Sequence, residues 1–272
     1  MFEELSIETV GSCNRFCPTC ERNSYPMREA VAGRFGKQQR MPEELFRKIV
    51  DDAVAMGYRG AVNLQHYNEP FQDTRIGRLA RYAKEKGVFS EVYMHSNGDL
   101  ITPRKAAEVD GVLDKIIVAL YAGAPEDRQG GQPLLGEARD ARRAAVLAMF
   151  EKTRVEWADG LHVVTHFSPY INLDEVIAEC RPLPCRRESG LRMIISYTGE
   201  MLMCCDDIAG IWRLGNAADQ TLEELWFSEK HLAILDTLSR PGGREAYGFC
   251  RICPRPDLPW YGDPAARSLP VV

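Results

Sequence analysis

The chain has 272 residues, 45% of them hydrophobic and 27% charged, with a formal net charge of −5. That profile belongs to a globular protein large enough for one large domain or a domain with a smaller module, and the scattered basic residues give no face for nucleic acid. No apolar run approaches a membrane span, and the N-terminus MFEELSIETV has neither a basic n-region nor a long apolar h-region, so a cytoplasmic protein is expected.

ELSIETV (residues 4–10) alternates apolar and polar residues and predicts a strand ending at Gly11. Residues 41–58 carry apolar side chains at helical spacing, with Pro42 in the first turn and Gly57 near the end. GAVNLQ (60–65) predicts a second strand, residues 74–87 a helix, and SEVYMHS (90–96) a third strand. A helix is expected from Thr102-Pro103, a fourth strand over 115–120, a Gly- and Pro-rich loop over 122–135, a helix over 137–152 and a fifth strand at LHVVTHF (161–167). The repeated βα rhythm implies an α/β fold with a parallel sheet and ligands at the carboxyl ends of its strands, with fewer units than a complete eight-stranded barrel. Beyond 180 the rhythm changes. LRMIISYTGEMLMCC (191–205) predicts two short strands around Thr198-Gly199, and residues 220–238 predict one amphipathic helix. The expected boundary lies near 180, and residues 21–40 and those after 254 are expected to be loops.

Nine cysteines in a reducing compartment call for a role other than disulfides. Cys13, Cys17 and Cys20 form CxxxCxxC directly after the first predicted strand, no cysteine occurs from 21 to 179, and six fall between 180 and 253. Two soft-metal sites explain that gap. Three thiolates on one loop can hold three irons of a cubane and leave the fourth open. The alternatives at this loop are a zinc site, which lacks a fourth Cys or His nearby, and a Cys17–Cys20 redox pair, which lacks a thioredoxin-like context.

CxxxCxxC after the first strand resembles the motif of the radical S-adenosylmethionine (SAM) superfamily. HYNEPFQD (66–73) resembles that family's Gly-Gly-Glu-Pro segment, and HSNGDLIT (95–102) its Thr-Asn-Gly segment, in the expected order at successive strand ends. The resemblance implies a partial (β/α) TIM-type barrel of about five to six parallel strands and a catalytic [4Fe-4S] cluster on Cys13, Cys17 and Cys20 whose open iron binds SAM. It places Asn68, Glu69 and Pro70 at the SAM amino group and Ser96 and Asn97 near its carboxylate and ribose, with the strand bearing His166 flanking the adenine. The family usually has an aromatic residue just before the third cysteine. Here Thr19 stands there and Phe16 precedes Cys17, so both are candidates for the adenine side. Asn68 replaces the second glycine of the usual segment.

Cys185, Cys204, Cys250 and Cys253, with a Gly199 turn and the 214–231 segment between them, resemble the SPASM/twitch extension of many such enzymes. That implies one fully ligated auxiliary [4Fe-4S] cluster; a four-cysteine zinc module is the plainer alternative. Cys205 adjoins a ligand and, if it lies on a strand, points the opposite way. It is either a small buried hydrophobe or a thiol that returns a hydrogen atom to a substrate radical. Cys180 is expected to be structural or a substitute ligand. His66 and His95 fall near strand ends without an assigned role, and Asp206 and Asp207 are expected to cap the hairpin. Within the family, a short barrel with a single-cluster extension is most similar to dehydrogenases acting on an aminocyclitol. The expected reaction is oxidation of a carbinol carbon of a small polyol, aminocyclitol or sugar, with Glu69 the carboxylate of the site and an electron donor such as flavodoxin or ferredoxin as partner; neither nucleic acid nor membrane is involved. A redox-neutral epimerase, a peptide-modifying enzyme and a non-catalytic metal-binding protein are the alternatives.

Overall fold

The computed structural model describes residues 1–17, 20, 22, 39–125, 133–158, 184–185, 191–251 and 253. In chain order its strands are β1 (Glu4–Ile7), β2 (Ala61–Asn63), β3 (Glu91–Ser96), β4 (Lys115–Val118), β5 (Arg154–Trp157), β6 (Arg192–Ile195) and β7 (Met201–Leu202). They form one sheet in the order β5-β4-β3-β2-β1-β6-β7. Every neighbouring pair is parallel except β6 with β7. The α/β architecture with five to six parallel strands is thus borne out among the described residues.

Alternation explains the sheet's two faces. Leu5, Ile7, Val62, Val92, Met94, Ile116, Val118, Met193 and Ile195 belong to one buried apolar cluster, and within each strand they fall on alternate positions, which share a face. Four helices accompany the sheet: α1 (Glu43–Ala55), α2 (Ile76–Lys84), α3 (Pro103–Val109) and α4 (Gly136–Leu147). In α1 the buried residues are Phe46, Ile49, Val50 and Ala53, the spacing of a single helix stripe. The side chain of Thr102 caps α3 by accepting from Lys105 N, with Pro103 in the first turn.

The other face carries a polar cluster. Glu4 accepts from Ser6 Oγ at 2.7 Å and Tyr93 Oη at 2.7 Å, and pairs with Arg192 Nε at 3.0 Å. Burial opposes its ionisation, but the Arg192 guanidinium and the hydrogen bonds outweigh it and hold the carboxyl below its usual range.

After β6 the chain turns back at Ser196–Gly199, where Gly199 N–H donates to Ser196 O at 2.8 Å and Gly199 takes φ +87°. Only glycine adopts that conformation freely, so the predicted Thr198-Gly199 turn stands. The single helix expected over 220–238 is two, α5 (Leu222–Trp226) and α6 (Glu229–Leu238). Ser228 breaks it, because its side chain accepts from His231 N and caps the second helix. A last short helix, α7, spans Gly248–Arg251.

β5 occupies four residues left unassigned by periodicity, whereas the expected strand at 161–167 lies outside the described residues, as do Thr19, His166, Cys180 and most of 21–40 and 254–272. No helix among the described residues is long and apolar enough to cross a membrane.

Candidate active site

The carboxyl ends of β1, β2, β3 and β4 converge on the cysteine loop. β1 leads into buried Glu8, which accepts from the N–H groups of Tyr67 at 3.2 Å and Tyr197 at 3.4 Å and so ties the strand's end to the segments after β2 and β6. Gly11 follows, and a Cβ there would meet the Tyr197 ring at 2.4 Å, so the loop's entry needs a glycine. Ser12 O then accepts from Glu69 N at 2.9 Å, bringing the NEP segment beside Cys13.

Glu69 is the centre of the site. It is 1% exposed, its Oε1 accepts from Phe71 N at 3.1 Å and Ser96 Oγ at 3.0 Å, and its Oε2 accepts from Asn97 N at 2.8 Å. Burial still pushes the carboxyl up to about 7, because three donors do not replace a hydration shell or a cation. Pro70 opens the 3-10 turn Pro70–Gln72, which Glu69 caps. Asn68 is oriented by His66 N, which donates to Oδ1 at 3.0 Å, while its buried Nδ2 has no hydrogen-bond partner among the described residues. A buried carboxylate in need of a cation beside an unused amide donor fits the ammonium and carboxylate of an amino-acid ligand such as SAM.

Asn97 continues the contact towards sulfur. Its Nδ2 donates to Asn14 Oδ1 at 2.8 Å and reaches Cys13 Sγ at 3.6 Å. Cys17 is pushed up to about 11 by burial and then by the Cys13 thiol, and burial, followed by Glu69, raises Cys13. Burial and all three thiols, Cys17, Cys20 and Cys13, raise the Tyr121 phenol. All three thiols thus lie within electrostatic reach of Tyr121, a spread that suits a multi-iron cluster, while among the described residues no group of three is drawn in closely enough to hold a single metal ion. Phe16 is half-buried and its N–H donates to Pro125 O at 3.0 Å. The residues that sequence reasoning missed are Glu8, Asn14, Arg15 and Asp99; Arg15 lies inside CxxxCxxC and Asp99 directly follows Ser96-Asn97-Gly98, so proximity to the motifs was the available signal.

The second cysteine set also gathers. Burial and then Cys185 and Cys253 push Cys250 up to about 12, and Cys204 is raised by burial and by Asp206, Cys205, Asp207 and Cys253. Cys185 N donates to Leu238 O at 2.6 Å and Cys253 N to Cys250 O at 3.2 Å, placing one ligand candidate at the end of α6 and two around α7. β7 ends at Leu202, so Cys204 and Cys205 lie in a turn closed by Asp207 N donating to Cys204 O at 3.1 Å. The strand-alternation argument for Cys205 therefore does not apply. Asp207 accepts from Met203 N at 3.1 Å and Ile211 N at 2.8 Å, so it caps the turn that follows β7 rather than the Thr198-Gly199 hairpin.

Residues 185–254 match the SPASM family, an iron-sulfur cluster-binding domain. Over 255 residues the chain is 21% identical to the S-adenosyl-L-methionine-dependent 2-deoxy-scyllo-inosamine dehydrogenase of Niallia circulans, covering 93% of each. Its fold is similar to that of BtrN in complex with AdoMet and 2-DOIA (TM-score 0.71, 18% identity, 93% of each chain). It is also similar to native anSMEcpe with bound AdoMet (TM-score 0.55, 13% identity, 92% of this chain and 88% of the other). Residues 185–254 thus carry a SPASM-type iron–sulfur-cluster-binding domain, and the order of the three motifs together with the fold that unites them makes the chain as a whole similar to SAM-dependent enzymes of the radical SAM type.

Proposed function

We propose that the protein is a dehydrogenase of a small polyol, aminocyclitol or sugar. The observation that carries the site is the contact chain from Glu69 through Ser96 and Asn97 to Cys13, which joins three distant motifs at one point. Cys13, Cys17 and Cys20 hold the open [4Fe-4S] cluster in this reading, and Asn68, Glu69, Pro70, Ser96 and Asn97 hold SAM, with Phe16, Thr19 and His166 on its adenine side. Cys185, Cys204, Cys250 and Cys253 hold one auxiliary [4Fe-4S] cluster. When bound and reduced by one electron, SAM and the open cluster would supply a 5′-deoxyadenosyl radical for hydrogen-atom abstraction from a carbinol carbon; the hydroxyl proton would pass to a base or solvent, and the auxiliary cluster would accept the remaining electron, leaving a ketone.

The chain's own part is to orient and exclude. Glu69 fixes the ammonium group by charge, the Asn68 amide is a donor for a carboxylate, and Asn97 holds the cysteine loop against the ligand site. Residues 1–179 form the radical-generating partial barrel and 180–272 the auxiliary module, with β6 lending that module an edge on the main sheet. The oxygen-sensitive clusters suit a reducing cytoplasm and a donor such as flavodoxin or ferredoxin. Support for oxidation comes from the relative matched over 93% of both chains, whose name describes a dehydrogenase of 2-deoxy-scyllo-inosamine.

The test is anaerobic incubation of the reconstituted protein with SAM, a reductant and 2-deoxy-scyllo-inosamine. The expected product is lighter by two hydrogens. A product in D2O that has lost no hydrogens and is one mass unit heavier, with deuterium at one carbon, would instead make the protein an epimerase, with Cys205 as the thiol to examine.

A further inference from the structure

One buried ion pair links the cysteine loop to the end of β3 and has no part in the contacts that hold Glu69. Arg15 stands between Cys13 and Cys17, with a side chain 4% exposed. Its Nε donates to Asp99 Oδ2 at 2.6 Å and its Nη2 to Asp99 Oδ1 at 2.8 Å, a two-point fork. Nη1 donates to Ala122 O at 3.2 Å, Nη2 also reaches Gly123 O at 3.2 Å, and the guanidinium lies 5.1 Å from the centre of the Tyr121 ring. Asn14 Nδ2 adds a further bond to Asp99 Oδ2 at 2.9 Å.

A loop that needed only three cysteines would gain nothing from turning an arginine inward, since burying a guanidinium is costly unless it is fully paired. Here all its donor nitrogens are used, and they hold the loop to the ends of two strands at once. The pair also places two fixed opposite charges beside the cysteines. The main-chain N–H of Arg15 also reaches Cys13 Sγ at 3.5 Å, so the pair sits on the cysteine loop itself. Reduction adds a negative charge to a thiolate-bound cluster, so a nearby cation favours it and a nearby anion opposes it.

We propose that Arg15 and Asp99 are a positioning pair for the cluster loop, and that their charges set the reduction potential of the cluster with opposite signs. The proposal rests on the assignment of Cys13, Cys17 and Cys20 to that cluster. Asp99→Asn leaves Arg15 uncompensated and raises the potential; Arg15→Gln leaves Asp99 uncompensated and lowers it; the double variant returns towards the parent value.

The experiment is an EPR-monitored redox titration of the SAM-responsive cluster signal in anaerobically reconstituted protein, with iron content measured on the same samples. Opposite shifts in the single variants and recovery in the double variant are expected. Iron lost from either single variant but retained in the double supports the same pairing. Equal shifts, no shifts, or iron lost from all three variants alike would overturn it. A parent protein whose iron content is unchanged when Cys13, Cys17 and Cys20 are all replaced by alanine would remove the cluster assignment itself, a distinct result.

Discussion

The main-chain N–H of Asn97 donates to Glu69 Oε2 at 2.8 Å, across 28 positions of sequence and between the ends of two neighbouring parallel strands. Together with the Ser96 hydroxyl it locks both carboxylate oxygens, and among the described residues no cation sits within ion-pair distance of them. Replacing Glu69 with Gln should therefore remove the ammonium-binding charge and leave the cysteine loop in place. SAM affinity should fall at least tenfold, about 1.4 kcal/mol or more, with the iron content of the reconstituted protein unchanged. Equilibrium dialysis with labelled SAM and an iron assay on one preparation check both.

The same carboxyl predicts a pH effect. Burial raises Glu69 from an ordinary 4.5 to about 7, so between those values the folded ligand-free protein holds a proton that the unfolded chain has released. Its contribution favours folding most below 4.5 and is lost as the pH rises through 7. A bound ammonium group reverses the shift, so SAM binding at neutral pH should release a proton. Calorimetric titration in buffers of differing ionisation enthalpy reads this directly, and Glu69→Gln should abolish the buffer dependence.

His95 should stay neutral well below the usual histidine range. Burial pushes it down to about 4 from 6.5, with Glu4, Arg192, Lys115 and Glu156 as the charged groups around it. The unfolded chain takes up a proton near 6.5 and the folded one only near 4, so stability falls as the pH drops through that window. The C2-proton resonance of His95 should not titrate between about pH 5 and 8, a range set by an unperturbed imidazole of about 6.5; a midpoint at about 6.5 would contradict the burial argument.

The two cysteine sets should be separable. Cys250→Ala should remove about four irons of about eight and spare reductive SAM cleavage. Cys17→Ala should remove the other cluster and abolish cleavage. Iron analysis with quantitation of 5′-deoxyadenosine distinguishes the two.

Much of this arrangement was legible in the sequence because period-two and helical patterns were unbroken where one face is buried. Glu4-Leu5-Ser6-Ile7 announces β1, and the motifs after β1, β2 and β3 point to one site. β5 was not legible. Arg154 and Glu156 share a charged face, and the strand exists because it pairs with β4 and because Arg154 meets Glu91 at 2.7 Å, a contact 63 residues away in sequence. The break between α5 and α6 was hidden for a different reason, since the apolar periodicity runs through Ser228 and only its capping bond ends the helix. The Arg15–Asp99 pair spans 84 positions, and nothing local marks a buried arginine before the strands converge.

Metal analysis of the anaerobically reconstituted wild-type chain, with SAM cleavage measured on the same sample, tests the central claim most directly. The account predicts about eight irons per chain and formation of 5′-deoxyadenosine on reduction. Stoichiometric zinc with intact SAM would contradict it.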